Sequence, residues 1–131
     1  MNKIWKSLGF LLVFIIIVGA CRTKTETVEP VSIQKPAVVF LVRHAEKVDN
    51  GKDPELSKAG EQRAVALAKA LRSSKIDYIH SSDFIRTRDT AKAVAEEIGK
   101  EISIYDPRDL PSLADKLKNT GGRHLVVGHS N

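Results

Sequence analysis

Of the arginines and histidines in this sequence, types that do phosphorus chemistry, four stand just beyond strand-like runs: Arg43, His44, Arg86 and His129. Arg43 and His44 stand directly behind the apolar run Ala37 to Val42. Arg86 lies in Ser81-Ser82-Asp83-Phe84-Ile85-Arg86-Thr87, at the opening of a helical pattern, and His129 lies in Gly128-His129-Ser130-Asn131. Guanidinium groups match phosphate oxygens bidentately, and a helix N-terminus adds backbone N–H donors. A neutral imidazole is a competent nucleophile at phosphorus, giving a phosphohistidine that water then hydrolyses. Arg43, Arg86 and His129 would stabilise the charge on the equatorial oxygens of the transition state, so this chemistry needs no metal.

Such a pocket requires elements that bring three distant segments to one rim, and the hydrophobic pattern predicts them. Ala37 to Val42 is a continuous apolar run, expected for a parallel strand buried on both faces. Residues 43–56 carry the turn signals Asp49-Asn50-Gly51 and Asp53-Pro54. Ser57 is a good N-cap for a helix whose stripe is Val65, Ala68 and Leu71, with Ala64 and Leu67 beside it. A short strand follows around Tyr78 to His80, then a helix over roughly Phe84 to Ile98, stopped by Gly99. Ile102 to Tyr105 reads as a third strand, Asp109 caps a helix through about Lys118, and Leu125 to Val127 forms a fourth strand. The order β-α-β-α-β-α-β implies an α/β fold with a mainly parallel sheet. Ligands in such sheets bind outside the carboxyl ends of the strands, where Arg43, His44, Arg86 and His129 all fall.

The first twenty residues read as an address. Lys3 and Lys6 precede the uncharged run Leu8 to Val18, which is too short to span a bilayer as a helix and suits a secretory signal over residues 1–20. Val18-Gly19-Ala20-Cys21 resembles a bacterial lipobox, which makes Cys21, the only cysteine, the expected lipidation site. Acyl chains on Cys21 would make the membrane a partner, with the protein on the exported face of a bacterial envelope, periplasmic if Gram-negative. Residues 21–36, polar and with two prolines, read as a flexible tether, and residues 37–131 as one domain. The whole chain carries 21 basic and 16 acidic side chains; without Lys3 and Lys6 the charge falls from +5 to +3. No basic run interleaved with aromatics remains, so nucleic acid is not an expected partner. A single cysteine excludes an intramolecular disulfide framework and a multi-cysteine zinc site.

Leu41-Val42-Arg43-His44-Ala45-Glu46, Leu56-Ser57-Lys58-Ala59-Gly60, Ser81-Ser82-Asp83-Phe84-Ile85-Arg86-Thr87 and Val127-Gly128-His129-Ser130 together resemble the histidine phosphatase superfamily, the phosphoglycerate-mutase-like group. The resemblance covers about residues 37–131 in the family's order. It implies a three-layer αβα sandwich, His44 as the phosphorylated nucleophile, and Arg43, Arg86 and His129 as the phosphate pocket. No cofactor or metal is implied; the implied substrate is a phosphorylated small molecule or phosphoprotein. Ala45 stands where the family usually has glycine. The family's general acid has candidates in Asp106 and Asp109; Asp109 is better explained as a helix cap, which leaves Asp106, with Glu46 behind it. The chain stops two residues after His129 where the family continues, so the C-terminal part of the fold is expected to be missing. A reading frame that ends after Asn131 would overturn that expectation.

The remaining candidates have plainer readings. His80 and His124 are expected to be structural or surface residues, and Arg63 and Arg88 to be solvated or paired with Glu61 and Asp89. Glu46 with His44 and His129 lacks the spacing of a metal site. Three functions follow from these residues: a metal-independent phosphomonoesterase, a phosphoglycerate-mutase-type transferase, or a lipid-anchored phosphate-binding domain without turnover.

Overall fold

The computed structural model describes residues 35–130. The expected signal, Cys21 and all of the tether but its last two residues lie outside the described residues. Seven elements follow: β1 (Ala37–Arg43), α1 (Lys58–Leu71), β2 (Tyr78–Ser82), α2 (Ile85–Ile98), β3 (Ile102–Tyr105), α3 (Leu110–Thr120) and β4 (Gly122–Gly128). All strand pairings are parallel and the sheet order is β1-β4-β2-β3.

Local chemistry sets the helix ends. The Ser57 hydroxyl accepts from Gly60 N at 3.1 Å, capping α1, and the Asp109 carboxylate accepts from Ser112 N at 3.2 Å, capping α3 with Pro111 in its first turn. α2 ends at Gly99, whose φ of 65° places it in the left-handed region while its N–H reaches Ala95 O.

The two crossovers β1-α1-β2 and β2-α2-β3 run the same way along the sheet, and α1 and α2 pack together on one face. The return from β3 to β4 reverses direction, so a right-handed crossover puts α3 on the other face. The core confirms these three layers. Ile79, Leu125 and Val127 face Ala68, Ala91 and Val94, whereas Val126 faces Leu113 and Leu117. Burying Ile79, Leu125, Val94 or Val127 contributes about 1.5–3 kcal/mol each.

Two expectations need correction. Among the described residues β1 is not buried on both faces: Phe40 and Val42 pack on the main cluster, but Leu41 is 78% exposed on the other side. β1 is the end strand of the described sheet, and Leu113 and Leu117 of α3 cover Val126 of β4 instead. In α1 the buried stripe is Gly60, Ala64 and Ala68, while Val65 faces solvent. The small residues admit close approach to α2 and to the loop after β1.

His80 and His124 are both core residues, on β2 and β4. His124 Nε2 lies 3.0 Å from Gly121 O and therefore carries the proton, so His124 Nδ1 accepts from His80 Nε2 at 3.1 Å. His80 Nδ1 is then a bare acceptor, buried without a partner. Burial first, then His124 and Lys116, push the His80 pKa from its usual value down to about 4. The unfolded chain takes up this proton near pH 6.5 and the folded chain does not until about pH 4. Stability is therefore expected to fall by about 2–3 kcal/mol as pH drops from 6.5 to 4. A His80→Asn chain should lose most of that slope in denaturant titrations; an unchanged slope would refute the assignment.

Candidate functional site

Sheet order explains how distant residues meet. β4 lies between β1 and β2, with Arg43 opposite Gly128 and Ser81 opposite Val127. The carboxyl ends of β1, β4 and β2 are therefore neighbours, and His44 N donates to Gly128 O at 3.0 Å. The segment after β1 delivers His44, the segment after β4 delivers His129, and α2 begins beyond β2 with Arg86 in its first turn. The imidazoles of His44 and His129 stand edge to face, with centroids 5.3 Å apart.

The hydrogen bonds assign each imidazole a tautomer. His44 Nδ1 lies 2.7 Å from Ala45 O, a carbonyl that only accepts, so Nδ1 carries the proton and Nε2 keeps its lone pair. His129 Nδ1 faces Arg86 Nη2, which only donates, at a long 3.5 Å. Its Nε2–H therefore donates to Ser82 Oγ at 3.1 Å, and that hydroxyl donates in turn to Thr87 Oγ1. The Phe84 ring packs edge-on against His129 and lies beneath the Arg86 guanidinium, 4.6 Å from its carbon. Burial and the charges of Arg86 and Arg43 lower the pKa of both His44 and His129; Lys47 adds to the effect at His44. Both rings are thus held neutral at pH 7.

Arg86 is largely buried. Its Nη1 meets Asp53 Oδ1 at 3.3 Å, its Nη2 makes only the long contact to His129, and its Nε is buried without any partner. The buried Nε without a partner leaves this guanidinium incompletely paired. Arg43 stands at the exposed rim, where it borders two larger clefts and a small one. One, of about 550 Å³, is lined by Arg43, His44, Glu46, Lys47 and Arg63 among others; the second, of about 380 Å³, opens toward His129. The larger cleft lies on the His44 side rather than between the imidazoles.

Four of the expected site residues, Arg43, His44, Arg86 and His129, are gathered at this rim. Asp106 is not joined to them. Its carboxylate is gripped by Arg108 through Nε at 3.0 Å and Nη2 at 2.9 Å, and Arg108 pushes its pKa down to about 2. Glu46 pairs with Arg63 at 2.9 Å, and its pKa is also lowered, chiefly by a backbone N–H and then by Arg63. A general acid needs its pKa raised toward neutrality, so neither carboxyl is prepared for that role in this conformation. Arg63 and Arg88 pair with Glu46 and Asp83, not with Glu61 and Asp89. Among the described residues no three His, Cys, Asp or Glu side chains group as metal ligands.

Sequence reasoning missed Asp53, Ser82, Arg63 and Thr90. Asp53 Oδ1 accepts from Ile85 N as well as from Arg86, so one carboxylate caps the start of α2 and orients the arginine. Asp53 carried a turn signal, which masked this second role.

The histidine phosphatase superfamily (branch 1) pattern matches residues 39–108. A protein named "Probable phosphoglycerate mutase GpmB" from Yersinia enterocolitica is 40% identical over 77 residues, covering 53% of this chain and 35% of that one. Its namesake from Escherichia coli O1:K1 is 38% identical over 108 residues, covering 69% of this chain and 50% of that one. The chain thus spans half or less of the length of these curated relatives. A protein from Agrobacterium tumefaciens, assigned as phosphohistidine phosphatase SixA, superposes with a TM-score of 0.62 at 26% identity, covering 72% of this chain and 70% of that one. The phosphoserine phosphatase of Entamoeba histolytica shares the fold, with a TM-score of 0.59 at 19% identity.

Proposed function

The chain belongs to the histidine phosphatase superfamily, branch 1, and on that footing we propose that it hydrolyses phosphomonoesters through a phosphohistidine on His44. The observation that carries this reading is the His44 Nδ1–H···O=C bond to Ala45, which leaves the Nε2 lone pair for attack. In the first step Nε2 bonds to phosphorus as the bond to the leaving oxygen breaks. Nδ1 keeps its proton, and the positive charge that develops on the ring is shared with the Ala45 carbonyl dipole. Arg43 and Arg86 hold the phosphoryl oxygens, and His129 joins them once its Nε2–H turns from Ser82 to the substrate. Water then attacks phosphorus, Nε2 leaves with its electron pair, and inorganic phosphate departs.

Neither Asp106 nor Glu46 is held neutral, so the leaving group takes its proton from water unless one of them is rearranged. That supports substrates with good leaving groups: aryl phosphates, or phosphohistidine, whose leaving atom is an imidazole nitrogen. The neighbour assigned as a phosphohistidine phosphatase, with a TM-score of 0.62 at 26% identity, supports a hydrolytic reading.

The test is phosphate release from p-nitrophenyl phosphate in the presence of a chelator, with rapid acid-free quenching to trap the phosphoenzyme. Expected are turnover insensitive to the chelator and a phosphoenzyme that is labile to acid but stable to alkali. Loss of turnover on chelation, transfer to 3-phosphoglycerate without phosphate release, or phosphate binding without turnover would each overturn the proposal.

A further inference from the structure

The lone pair on His44 Nε2 exists only while Nδ1 holds the proton, and Nδ1 holds it because the Ala45 carbonyl is aimed at the ring. Nothing in an isolated strand end keeps that carbonyl there. We propose that Arg63 and Thr90 are positioning residues that grip the peptide unit between His44 and Ala45 and thereby fix the tautomer of the nucleophile. This rests on His44 being that nucleophile.

The two side chains hold opposite ends of one peptide plane. Arg63 Nη2 donates to His44 O at 2.7 Å, and Ala45 N donates to Thr90 Oγ1 at 3.0 Å. Each holder is itself held. Arg63 Nε donates to Glu46 Oε2 at 2.9 Å. The Thr90 hydroxyl gives its own proton to Arg86 O at 2.7 Å, which turns an oxygen lone pair toward Ala45 N. Two peptides further on, Glu46 O accepts from Ser57 N at 2.8 Å and from Ser57 Oγ at 3.2 Å. The peptide between Ala45 and Glu46, which carries the carbonyl that His44 uses, is thus bracketed by two fixed neighbours. Ala45 is 1% exposed and Thr90 2%, so water does not replace these partners. Thr90 also joins the two halves of the site, since one hydroxyl touches both the nucleophile segment and the backbone of Arg86.

Arg63 and Thr90 touch no reacting atom in this arrangement; they act through the backbone. Their removal frees the carbonyl and lets the His44 proton move to Nε2, where it blocks attack. The experiment uses Arg63→Met, Thr90→Val and the hydroxyl-retaining Thr90→Ser. Arg63 is half exposed, so the fold tolerates its loss if Thr90→Val proves unstable. Nitrogen-15 NMR of the imidazole, above its titration range, reads the tautomer directly. The unmodified protein and Thr90→Ser are expected to show a protonated Nδ1 and bare Nε2 at His44, and Arg63→Met and Thr90→Val a shift of signal toward protonated Nε2. On p-nitrophenyl phosphate, kcat is expected to fall on the order of 10- to 100-fold with KM nearly unchanged. An unshifted tautomer in both Arg63→Met and Thr90→Val, or a loss confined to KM, overturns the proposal. A protonated Nδ1 that shifts in the variants, in a protein without turnover, would overturn the hydrolase reading and leave the clamp standing.

Discussion

A His44→Ala chain is expected to lose at least about 10³-fold in kcat on p-nitrophenyl phosphate and to form no phosphoenzyme. The size follows from what remains. Arg43, Arg86 and His129 still bind the anion, so KM should move little, but the described residues place no second nucleophile at this rim. His129 is neutral yet unsuited to replace His44, because its Nε2 proton is committed to Ser82 and its Nδ1 faces Arg86. The pH profile of the parent protein provides an independent check. Burial and the cations Arg86, Arg43 and Lys47 lower the His44 pKa below its usual 6.5. The neutral, nucleophilic ring therefore persists as pH falls through 6.5, and the acid limb of kcat/KM should lie below that value. Phosphoenzyme in His44→Ala, or an acid limb above pH 6.5, would remove His44 from its role.

Gly60→Ala is expected to cost stability heavily for a single added methyl. A Cβ at Gly60 would stand 2.1 Å from Glu46 O and 3.0 Å from Glu46 C and N, all of them backbone atoms. Helix propensity pulls the other way, since alanine is preferred to glycine inside a helix by about 1 kcal/mol. Contact at 2.1 Å decides the sign, because α1 must move away from the segment after β1 or that segment must yield. A net loss of about 3 kcal/mol or more follows, a large fraction of a typical domain's 5–15 kcal/mol. Movement of Glu46 O also breaks its bonds to Ser57 and slackens the segment that carries His44, so turnover should fall with stability. Gly51→Ala is the control: the added carbon meets the Asp49 carboxylate, which can swing aside. Denaturant midpoints that rank Gly51→Ala below Gly60→Ala would show that the close approach has been misjudged.

The positions of Arg43, His44, Arg86 and His129 were legible in the sequence because strands alternate with helices there, and parallel strands put their following residues on one rim. Strand order was not legible. Nothing local in Leu125-Val126-Val127 tells that β4 inserts between β1 and β2, yet that insertion is what brings His129 beside His44. The supporting contacts were equally hidden. Arg63 looked like a solvated helix residue because its partner, Glu46, is 17 positions away, and Thr90 is 45 positions from Ala45. Helix faces misled in α1, where Val65 fits an apolar stripe but the interface selects Gly60, Ala64 and Ala68 for their size. Asp106 sits at the end of β3 as the pattern foresaw, but a side chain two positions later captures it.

The sheet order has a consequence for how this protein is made. Within the described sheet β1 has one neighbour, and that neighbour is β4, the last of the described strands in chain order. From the time Ala37-Val38-Val39-Phe40-Leu41-Val42 leaves the ribosome until residue 128 follows, β1 lacks its partner among the described strands, while β2 and β3 can already pair. The nascent chain thus carries an apolar strand of high β-propensity without that partner while the intervening elements are made, the condition in which intermolecular strand pairing competes with folding. The proposed phosphate site, divided between the segments that follow β1 and β4, also cannot form before His129 has been added.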